Sequence, residues 1–335
     1  MNKFSWYQAS SVEEALKAVN STVSESLTAK PGTGAVFKSG GIDVLDLMKE
    51  GLLQPEMIVN IREIPGLDSI EDTADGGLKI GANATLAEMM ENEKIKQNYQ
   101  ALYQSLNHAA TPQLRNMASL GGNLAQRTRC WYFRSIDHQC FRKGGSTCFA
   151  KNGMNEFHSI LKNGMCSSVH SSSISTALMA FDAKVEITGS KGKQRLVDLD
   201  DFFILPGDDP SRENILRSDE LIAAVILPKI SSDTKSIYKK QGARESYDWA
   251  LADVAIVADV KSGKCSKATM ALGAAAPVPL RIQYAADMLV NEKIDENIAK
   301  EVAEAAMERA TPLEHNAYKV PLFKALIKRS VLQLA

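Results

Sequence analysis

The chain has 335 residues, of which 44% are hydrophobic and 24% charged, and its formal net charge is −1 at pH 7. That near-neutral balance argues against a general role in nucleic-acid binding, since such domains usually carry a clear basic excess. No apolar run approaches the roughly 18 residues needed to cross a bilayer, and the N-terminal residues lack the apolar segment and cleavage site of a signal peptide. We therefore expect a globular protein of the cytoplasm with no membrane span.

The N-terminal two thirds of the chain alternate short predicted strands with helices. The sequence predicts first a strand, then a helix capped by Ser11, then strands over 57–61 and 78–82 and helices near 86–95 and 99–110. Residues 111–124 are predicted to form a loop, a short strand and a glycine turn. Further along, a helix is predicted over 174–181 and strands over 183–188 and 220–228. Strands that cluster, instead of alternating strictly with helices, are typical of an α+β fold.

A polar, turn-rich stretch at 228–236 predicts a domain boundary. Beyond it, strands are predicted over 236–241, 250–260 and 267–276, followed by helices near 285–290, 298–310 and 322–334. We expect one domain over residues 1–229 and a second over residues 230–335.

Two pairs of adjacent glycines are candidate phosphate-binding turns. Gly40-Gly41 and Gly121-Gly122 each allow backbone N–H groups to converge at positive φ without an obstructing Cβ atom. Neither pair fits the Rossmann or Walker pattern, so the sequence does not support a standard nicotinamide site. A single glycine pair is more often only a tight turn.

Taken together and in order, four segments resemble the FAD subunits of molybdenum hydroxylases, the relatives of xanthine dehydrogenase. Residues 111–123, TPQLRNMASLGGN, resemble the flavin-binding signature of that family, and 38–51, KSGGIDVLDLMKEG, resemble its first pyrophosphate loop. The segment that begins YKKQGAR is similar to a downstream motif and places Tyr238, Lys240 and Arg244. The fourth segment, LGAAAPVPLR, ends at Arg281 and is similar to the start of the family's C-terminal domain.

This resemblance implies a fold and a set of FAD contacts. The fold is an FAD-binding domain of two α+β subdomains, of the PCMH and vanillyl-alcohol-oxidase type, followed by a smaller C-terminal domain like that of CO dehydrogenase flavoproteins. The residues that the resemblance assigns to FAD are Ser39, Gly40, Gly41, Ile42, Asp43 and Val44 at the pyrophosphate, Ser119, Gly121, Gly122 and Asn123 at the second phosphate and ribitol, and Ile222 and Lys240 beside the isoalloxazine. A lysine there would stabilise negative charge on the flavin; without the resemblance, Lys240 would be interpreted as a solvated strand residue.

Four of the five cysteines lie between residues 130 and 166, in a stretch rich in Gly, Ser, Asn and Lys. In the cytoplasm, clustered thiols are more often metal ligands or redox groups than disulfides. Their spacing, Cys-x9-Cys-x7-Cys-x17-Cys, contains no close pair of the kind that marks structural zinc. The residue pattern alone is therefore consistent with three interpretations: a zinc site, an iron–sulfur cluster and uncoordinated thiols.

The resemblance favours iron–sulfur. Residues 126–170 are similar to an insertion that carries a [4Fe–4S] cluster in bacterial aromatic aldehyde oxidoreductases and hydroxybenzoyl-CoA reductases, which implies Cys130, Cys140, Cys148 and Cys166 as ligands. We expect Arg127, Arg129, Arg134, Arg142 and Lys143 to offset the charge of the cluster, and Trp131, Tyr132 and Phe133 to shield it. The insertion is expected to form little hydrophobic core, and His138, His158 and His170 to be structural or solvent-facing. Cys265 is expected to pack as a small apolar residue.

One position departs from the family. Ser173 stands where an aspartate that contacts the flavin is expected, in the run His170-Ser171-Ser172-Ser173. Serine can still donate a hydrogen bond but carries no charge. We therefore do not include Ser173 among the expected FAD contacts.

The resemblance implies an oxidoreductase subunit that takes electrons from [2Fe–2S] clusters and passes them through FAD to an external acceptor. Its partners would be a molybdopterin-binding large subunit and a [2Fe–2S] small subunit in a hetero-oligomer. No acid–base catalytic residue is required, because the cofactors carry the chemistry. The alternatives are a stand-alone flavin oxidoreductase that acts on its own small substrate, and a metal-stapled scaffold that has lost FAD.

Overall fold

A computed structural model describes residues 1–245 and 247–335 of the chain. The strands are β1 (Ser5–Gln8), β2 (Ala35–Lys38), β3 (Met57–Asn60), β4 (Ile70–Asp72), β5 (Leu78–Gly81), β6 (Lys184–Gly189), β7 (Gln194–Asp198), β8 (Glu220–Leu227), β9 (Thr234–Gln241), β10 (Ala252–Lys261), β11 (Lys264–Gly273) and β12 (Leu280–Arg281). The helices are α1 (Val12–Ala18), α2 (Val23–Ser26), α3 (Ile42–Lys49), α4 (Leu86–Glu91), α5 (Glu93–Asn98), α6 (Gln100–Asn107), α7 (Pro112–Arg115), α8 (Leu120–Leu124), α9 (Trp131–Arg134), α10 (Ser173–Ala180), α11 (Leu199–Phe202), α12 (Gln283–Ala286), α13 (Glu296–Met307) and α14 (Lys319–Leu332).

Within the described residues the strands form three sheets. A parallel sheet in the order β1-β3-β2 begins the chain, and an antiparallel sheet in the order β4-β5-β8-β6-β7 follows it. The third sheet is antiparallel, in the order β12-β11-β10-β9. Across residues 1–245 and 247–335, every helix falls short of the length and apolar character that a bilayer-spanning segment requires.

Helix α10 joins the N-terminal part of the chain to the C-terminal sheet. All eight of its residues are buried, as expected for a helix that is apolar around most of its circumference. It packs against α6 on one side and against β10 and β11 on the other. The opposite face of the third sheet packs on α14, which in turn packs on α13, and apolar residues of both helices complete the C-terminal core. The third sheet is therefore covered on both faces.

The segment 111–124 was predicted as a loop, a short strand and a glycine turn, and that prediction is wrong. It forms two one-turn helices, α7 and α8. Thr111 accepts a hydrogen bond from the N–H of Leu114, with Pro112 at the first helical position, and Ser119 caps α8 in the same way. Such caps favour a helical turn over an extended strand.

The second half of the insertion packs against the C-terminal domain, which the sequence did not predict. Ile160 and Leu161 are buried in the C-terminal core, and their backbone N–H groups both donate to the carbonyl of Ala275 at 2.9 Å. The Asn316 side chain donates to the carbonyls of His158 and Ser159 at 3.1 and 3.2 Å. This half is therefore fixed by the C-terminal domain.

We expect Ile160→Ala to lower the free energy of unfolding by about 2–5 kcal/mol, because it leaves a cavity in a closed core. The matched control is Ile136→Ala in the first half of the insertion, where the side chain is 66% exposed and the change should cost less than about 0.5 kcal/mol. Urea unfolding of both variants measures the difference. Equal effects would contradict the assignment of Ile160 to the C-terminal core.

A buried carboxyl group lies in the third sheet beside two lysines. Asp253 on β10 is 2% exposed and pairs in register with Lys240 on β9 and Gly273 on β11. A Cβ atom at Gly273 would lie 2.0 Å from Asp253 Oδ1, so the carboxyl group fills the space that glycine leaves. Burial raises the pKa of Asp253 from 3.8 to about 7, against the opposing charges of Lys240 and Lys319. Burial likewise lowers the pKa of Lys319 to about 7.

The raised pKa of Asp253 predicts a specific pH dependence of stability. Because the folded protein binds this proton more tightly than the unfolded chain does, the carboxyl group makes the free energy of unfolding fall as the pH rises from about 4 to about 7. Asp253→Asn removes that contribution, so the variant should gain about 2 kcal/mol relative to the wild type between pH 5 and pH 7. Lys319 adds no pH dependence in this range, because a base with a lowered pKa changes stability with pH only above its folded pKa, here about 7.

The measurement is urea unfolding of both proteins at several pH values. The difference in the free energy of unfolding between the two proteins reports on Asp253 alone, because histidines that titrate in the same range contribute equally to both. A difference that stays constant with pH would show that the Asp253 carboxyl group is ionised throughout.

Candidate functional site

A cavity of about 820 Å³ opens among the two N-terminal sheets and the start of the C-terminal sheet. Its volume is within the range of roughly 300–1,000 Å³ that is usual for cofactor pockets. It is lined by all twelve residues predicted to contact FAD, which are Ser39, Gly40, Gly41, Ile42, Asp43, Val44, Ser119, Gly121, Gly122, Asn123, Ile222 and Lys240. The fold therefore brings these distant segments to one place.

The first loop, residues 39–44, owes its shape to two glycines in different ways. Gly41 has φ +81° and caps α3, a left-handed conformation that favours glycine. A Cβ atom at Gly40 would lie 1.9 Å from the carbonyl oxygen of Met117, so no other residue permits this contact. Positive φ was predicted for both glycines; it is found at Gly41, whereas close backbone approach explains Gly40.

The second loop, residues 119–123, is the first turn of α8 instead of a positive-φ turn. A Cβ atom at Gly121 would lie 2.9 Å from the Cβ atom of Ala82, so Gly121 allows α8 to pack closely against the segment after β5. At Gly122 the nearest atom would be Ser119 Oγ, at 3.0 Å. The predicted positive φ is therefore wrong here, and Gly122 is the less crowded of the two positions.

The carboxylate of Asp43 is held by the start of the insertion. Its Oδ2 atom accepts a 2.8 Å hydrogen bond from the backbone N–H of Arg127. Its Oδ1 atom forms ion pairs with Arg129 at 2.9 Å and Arg134 at 2.6 Å. Both guanidinium groups also pair with Asp46, one turn further along α3. Five charge-assisted contacts therefore join α3 to residues 127–134.

This arrangement corrects one expectation about the basic residues. Arg127, Arg129 and Arg134 were expected to offset a cluster charge, but their guanidinium groups pair with Glu213, Asp43 and Asp46 instead. Sequence analysis missed these long-range partners because ion pairing between segments about 80 residues apart leaves no local pattern.

Arg142 and Lys143 do lie by the thiols. Arg142 is almost fully buried, pairs with Glu213 at 3.0 Å and lines the same small cavity as Cys166. The Lys143 ammonium donates to the carbonyl of Ser135, and Cys140 and Cys130 lie close enough to raise its pKa, although burial, the larger effect, lowers it.

The four clustered thiols, here called the cysteine centre, surround one small cavity. Cys130, Cys140, Cys148 and Cys166 all line it, with the aromatic rings of Tyr132, Phe133 and Phe149. Trp131 lies just outside, with its ring 5.5 Å from that of His158. By contrast, Cys265 is buried in the C-terminal core.

Burial makes three of the thiols hard to ionise. It raises the pKa of Cys130 to about 12 and also raises the pKa of Cys140. The hydrogen bond with Cys166 raises the pKa of Cys148. That same bond lowers the pKa of Cys166, with help from Arg142. A site for four thiolates therefore needs a cation, because metal ligation requires deprotonated sulfur.

Two of the insertion's histidines are buried, so they are structural and not solvent-facing. His158 is 3% exposed, and its Nε2 atom lies 3.2 Å from Cys130 Sγ. Burial lowers the pKa of His158 to about 4 and that of His170 to about 3. Both rings are therefore neutral at physiological pH. His138, which is half-buried, contacts Ser135 through Nδ1 at 3.1 Å.

The serine run after the insertion returns the chain to the large cavity. Ser171 and Ser173 line it, and Ser172 caps α10 by accepting from the N–H of Ser175. The Ser172 hydroxyl also donates to the side chain of Asn123. The two ends of the insertion therefore meet beside the second loop, and Ser173 brings a neutral hydroxyl to the cavity.

Lys240 is fixed at the cavity wall by the protein itself. Its ammonium donates to the carbonyls of His108, at 2.9 Å, and Asp248, and burial lowers its pKa. The interpretation of Lys240 as a solvated strand residue is therefore wrong. Two further residues of this cavity escaped sequence analysis. Asn83 accepts from the Ser39 hydroxyl at 2.7 Å, and the exposed Trp249 stacks with Arg129 at 5.1 Å.

Comparison with known proteins identifies both parts of the chain. Residues 2–230 match the family described as the FAD binding domain in molybdopterin dehydrogenase, and residues 237–334 match the CO dehydrogenase flavoprotein C-terminal domain. The aldehyde oxidoreductase FAD-binding subunit PaoB of Escherichia coli (strain K12) is 36% identical over 309 residues, which cover 91% of this chain and 93% of that protein. The carbon monoxide dehydrogenase medium chain of Hydrogenophaga pseudoflava is 23% identical over 333 residues, or 98% and 96% of the two chains.

Solved structures share the fold. Carbon monoxide dehydrogenase from Hydrogenophaga pseudoflava superposes with a TM-score of 0.73 at 22% identity and covers 98% of this chain and 96% of its own. Quinoline 2-oxidoreductase from Pseudomonas putida 86 gives 0.73 at 22% identity, with 99% and 97% coverage. The α+β fold class and the family resemblance predicted from sequence are confirmed. The chain therefore belongs to the FAD-binding subunits of the molybdenum hydroxylase family.

Proposed function

We propose that this chain is the FAD-carrying electron-transfer subunit of a molybdenum-containing hydroxylase, working with a molybdopterin-binding large subunit and a [2Fe–2S] small subunit. The observation that carries the proposal is the cavity of about 820 Å³ in which both glycine loops meet Ile222 and Lys240. Relatives named as FAD-binding subunits of an aldehyde oxidoreductase and a xanthine dehydrogenase support the same role.

The first loop is suited to the pyrophosphate of FAD. Gly41 starts α3 in the cavity wall, and the free N–H groups at the start of a helix bind phosphate. Because the Asp43 carboxylate is already paired with arginines, we assign the backbone of residues 39–44, and not this side chain, to the phosphate.

At the other end of the cavity wall, Ile222 and Lys240 are assigned to the isoalloxazine. FAD, when bound, supplies the conversion between one- and two-electron transfer. The protein contributes position and charge: the Lys240 ammonium is already held by two carbonyls, so it needs no rearrangement to act on a nearby negative charge.

The cysteine centre is proposed to bind one [4Fe–4S] cluster. Four thiols that line one cavity, and no acidic side chain lining that cavity among the described residues, form a donor set suited to iron–sulfur. The Arg142 guanidinium beside Cys166 offsets part of the negative charge that four thiolates bring. When bound, the cluster would supply a one-electron redox centre near the FAD cavity.

Gly122→Val tests the FAD site. A Cβ atom at this position meets only Ser119 Oγ within 4 Å, at 3.0 Å, so only that hydroxyl must shift, while the added side chain occupies space in the cavity. We expect the wild type to carry one non-covalent FAD per chain and the variant to lose most of it, as measured by flavin absorbance after extraction. Gly41→Val should also lose FAD, but its positive φ adds backbone strain.

The control is Gly207→Val, at a position outside the cavity with nothing within 4 Å of a Cβ atom, and it should retain FAD. Full FAD content in Gly122→Val would contradict the placement of the site. A wild type without FAD would favour the scaffold hypothesis.

Cys166→Ser tests the cysteine centre. The wild type purified without oxygen should hold about four iron atoms per chain, and the variant should hold far fewer, by iron analysis and visible absorption. Cys265→Ser, in the C-terminal core, should keep its iron. Zinc in place of iron, or thiols without any metal, would contradict the proposal.

A further inference from the structure

We propose that Asp43 is a positioning residue that makes FAD binding depend on the state of the cysteine centre. The inference rests on the proposed function for the FAD cavity. It concerns how the two sites communicate, and the contacts of Asp43 carry it.

Asp43 belongs to the FAD cavity but is paired on the cysteine side. It lines the cavity within the first loop, and its side chain is only 14% exposed. Its partners are the backbone N–H of Arg127 and the guanidinium groups of Arg129 and Arg134. In the described part of the chain, these contacts come from one segment, which includes Cys130.

The position of Cys130 determines where those guanidinium groups lie. Its carbonyl accepts from the N–H of Arg134 at 2.9 Å and so closes the single turn of α9. Its own N–H donates to Thr128 Oγ1 at 3.2 Å. Arg129 and Arg134 therefore move with Cys130, because one is its neighbour and the other is hydrogen-bonded to it.

A second connection runs through Glu213. This carboxylate is 2% exposed and lies between Arg127, at 2.5 Å, and Arg142, at 3.0 Å. Arg142 lines the same small cavity as Cys166, whereas Arg127 lines the FAD cavity. All three charges are almost fully buried, so displacing one partner leaves another uncompensated at high cost.

The physical consequence is electrostatic. If Cys130 loses its partners and its segment shifts, the Asp43 carboxylate is left without its cations in the wall assigned to the pyrophosphate. An uncompensated negative charge there repels the phosphates of FAD. By linkage, bound FAD favours the arrangement in which Asp43 is paired, and hence the ordered cysteine centre.

A double-mutant cycle on the full chain tests the inference. Flavin-free wild type, Cys130→Ser, Asp43→Asn and the double variant are titrated with FAD, followed by the quenching of flavin fluorescence. Cys130→Ser should weaken FAD binding about tenfold, within the roughly 5–150-fold range of site coupling. In the Asp43→Asn background the same cysteine change should alter affinity by less than about twofold, because the carboxylate that transmits it is gone.

Arg134→Gln is a second variant, which leaves every cysteine in place. Arg134 does not line the FAD cavity, so a fall in FAD affinity cannot come from a lost direct contact. We expect it to reproduce most of the effect of Cys130→Ser. Each substitution has a matched control. Cys265→Ser is the control for Cys130→Ser. Asp200→Asn, which removes a carboxylate paired with Arg281, is the control for Asp43→Asn. Neither should alter FAD affinity, and circular dichroism confirms that all variants are folded.

Unchanged FAD affinity in Cys130→Ser would overturn the inference. So would a Cys130→Ser effect of equal size with and without Asp43, which would place the coupling elsewhere. Iron content, measured on the same samples, tests the proposed cluster separately. If the wild type holds no iron but the double-mutant cycle gives the expected result, the cluster proposal is wrong and the coupling stands.

Discussion

The contact between Gly40 and Met117 determines the geometry of the cavity. With no Cβ atom on Gly40, the first loop lies against the Met117 carbonyl, and Arg62 donates to that carbonyl and to its neighbour at 3.1 and 3.2 Å. This brings the start of α3 next to the segment that leads into α8. A larger residue at position 40 would separate two loops that line one cavity, so steric fit here determines the shape of that cavity.

Helix α10 transmits that geometry to the rest of the molecule. It begins at the cavity with Ser173 and is buried along its full length between α6 and the third sheet. Where the buried carboxyl of Asp253 meets Thr176 of this helix, only a glycine at 273 leaves enough space. The C-terminal sheet therefore packs on the same helix that begins at the cavity.

Sequence alone predicted which residues line the cavity but not what holds several of them. The glycine pairs and the cysteine spacing are local patterns, and all twelve predicted cofactor contacts lie together. The partners of Asp43 could not be predicted, because Arg129 and Arg134 are distant from it in the sequence. An arginine by itself also does not indicate which group it will pair with. The burial of Ile160 in another domain's core was equally invisible within a polar stretch. The helical form of 111–124, however, was predictable: Thr111 followed by Pro112 is a recognisable helix start.

Two buried or half-buried carboxylates share one arrangement. Asp43 lies between Arg129 and Arg134, and Glu213 lies between Arg127 and Arg142. Such groups contribute little net stability compared with apolar residues of the same size, since desolvation cancels most of the attraction.

Their main contribution is to orient the segments that carry their partner cations. In both cases the cations come from the insertion. A carboxylate between two cations fixes both at once, and a shift of either leaves a buried charge unpaired. In this fold, buried charge therefore serves mainly to set how the insertion faces the FAD cavity, while apolar packing supplies the stability.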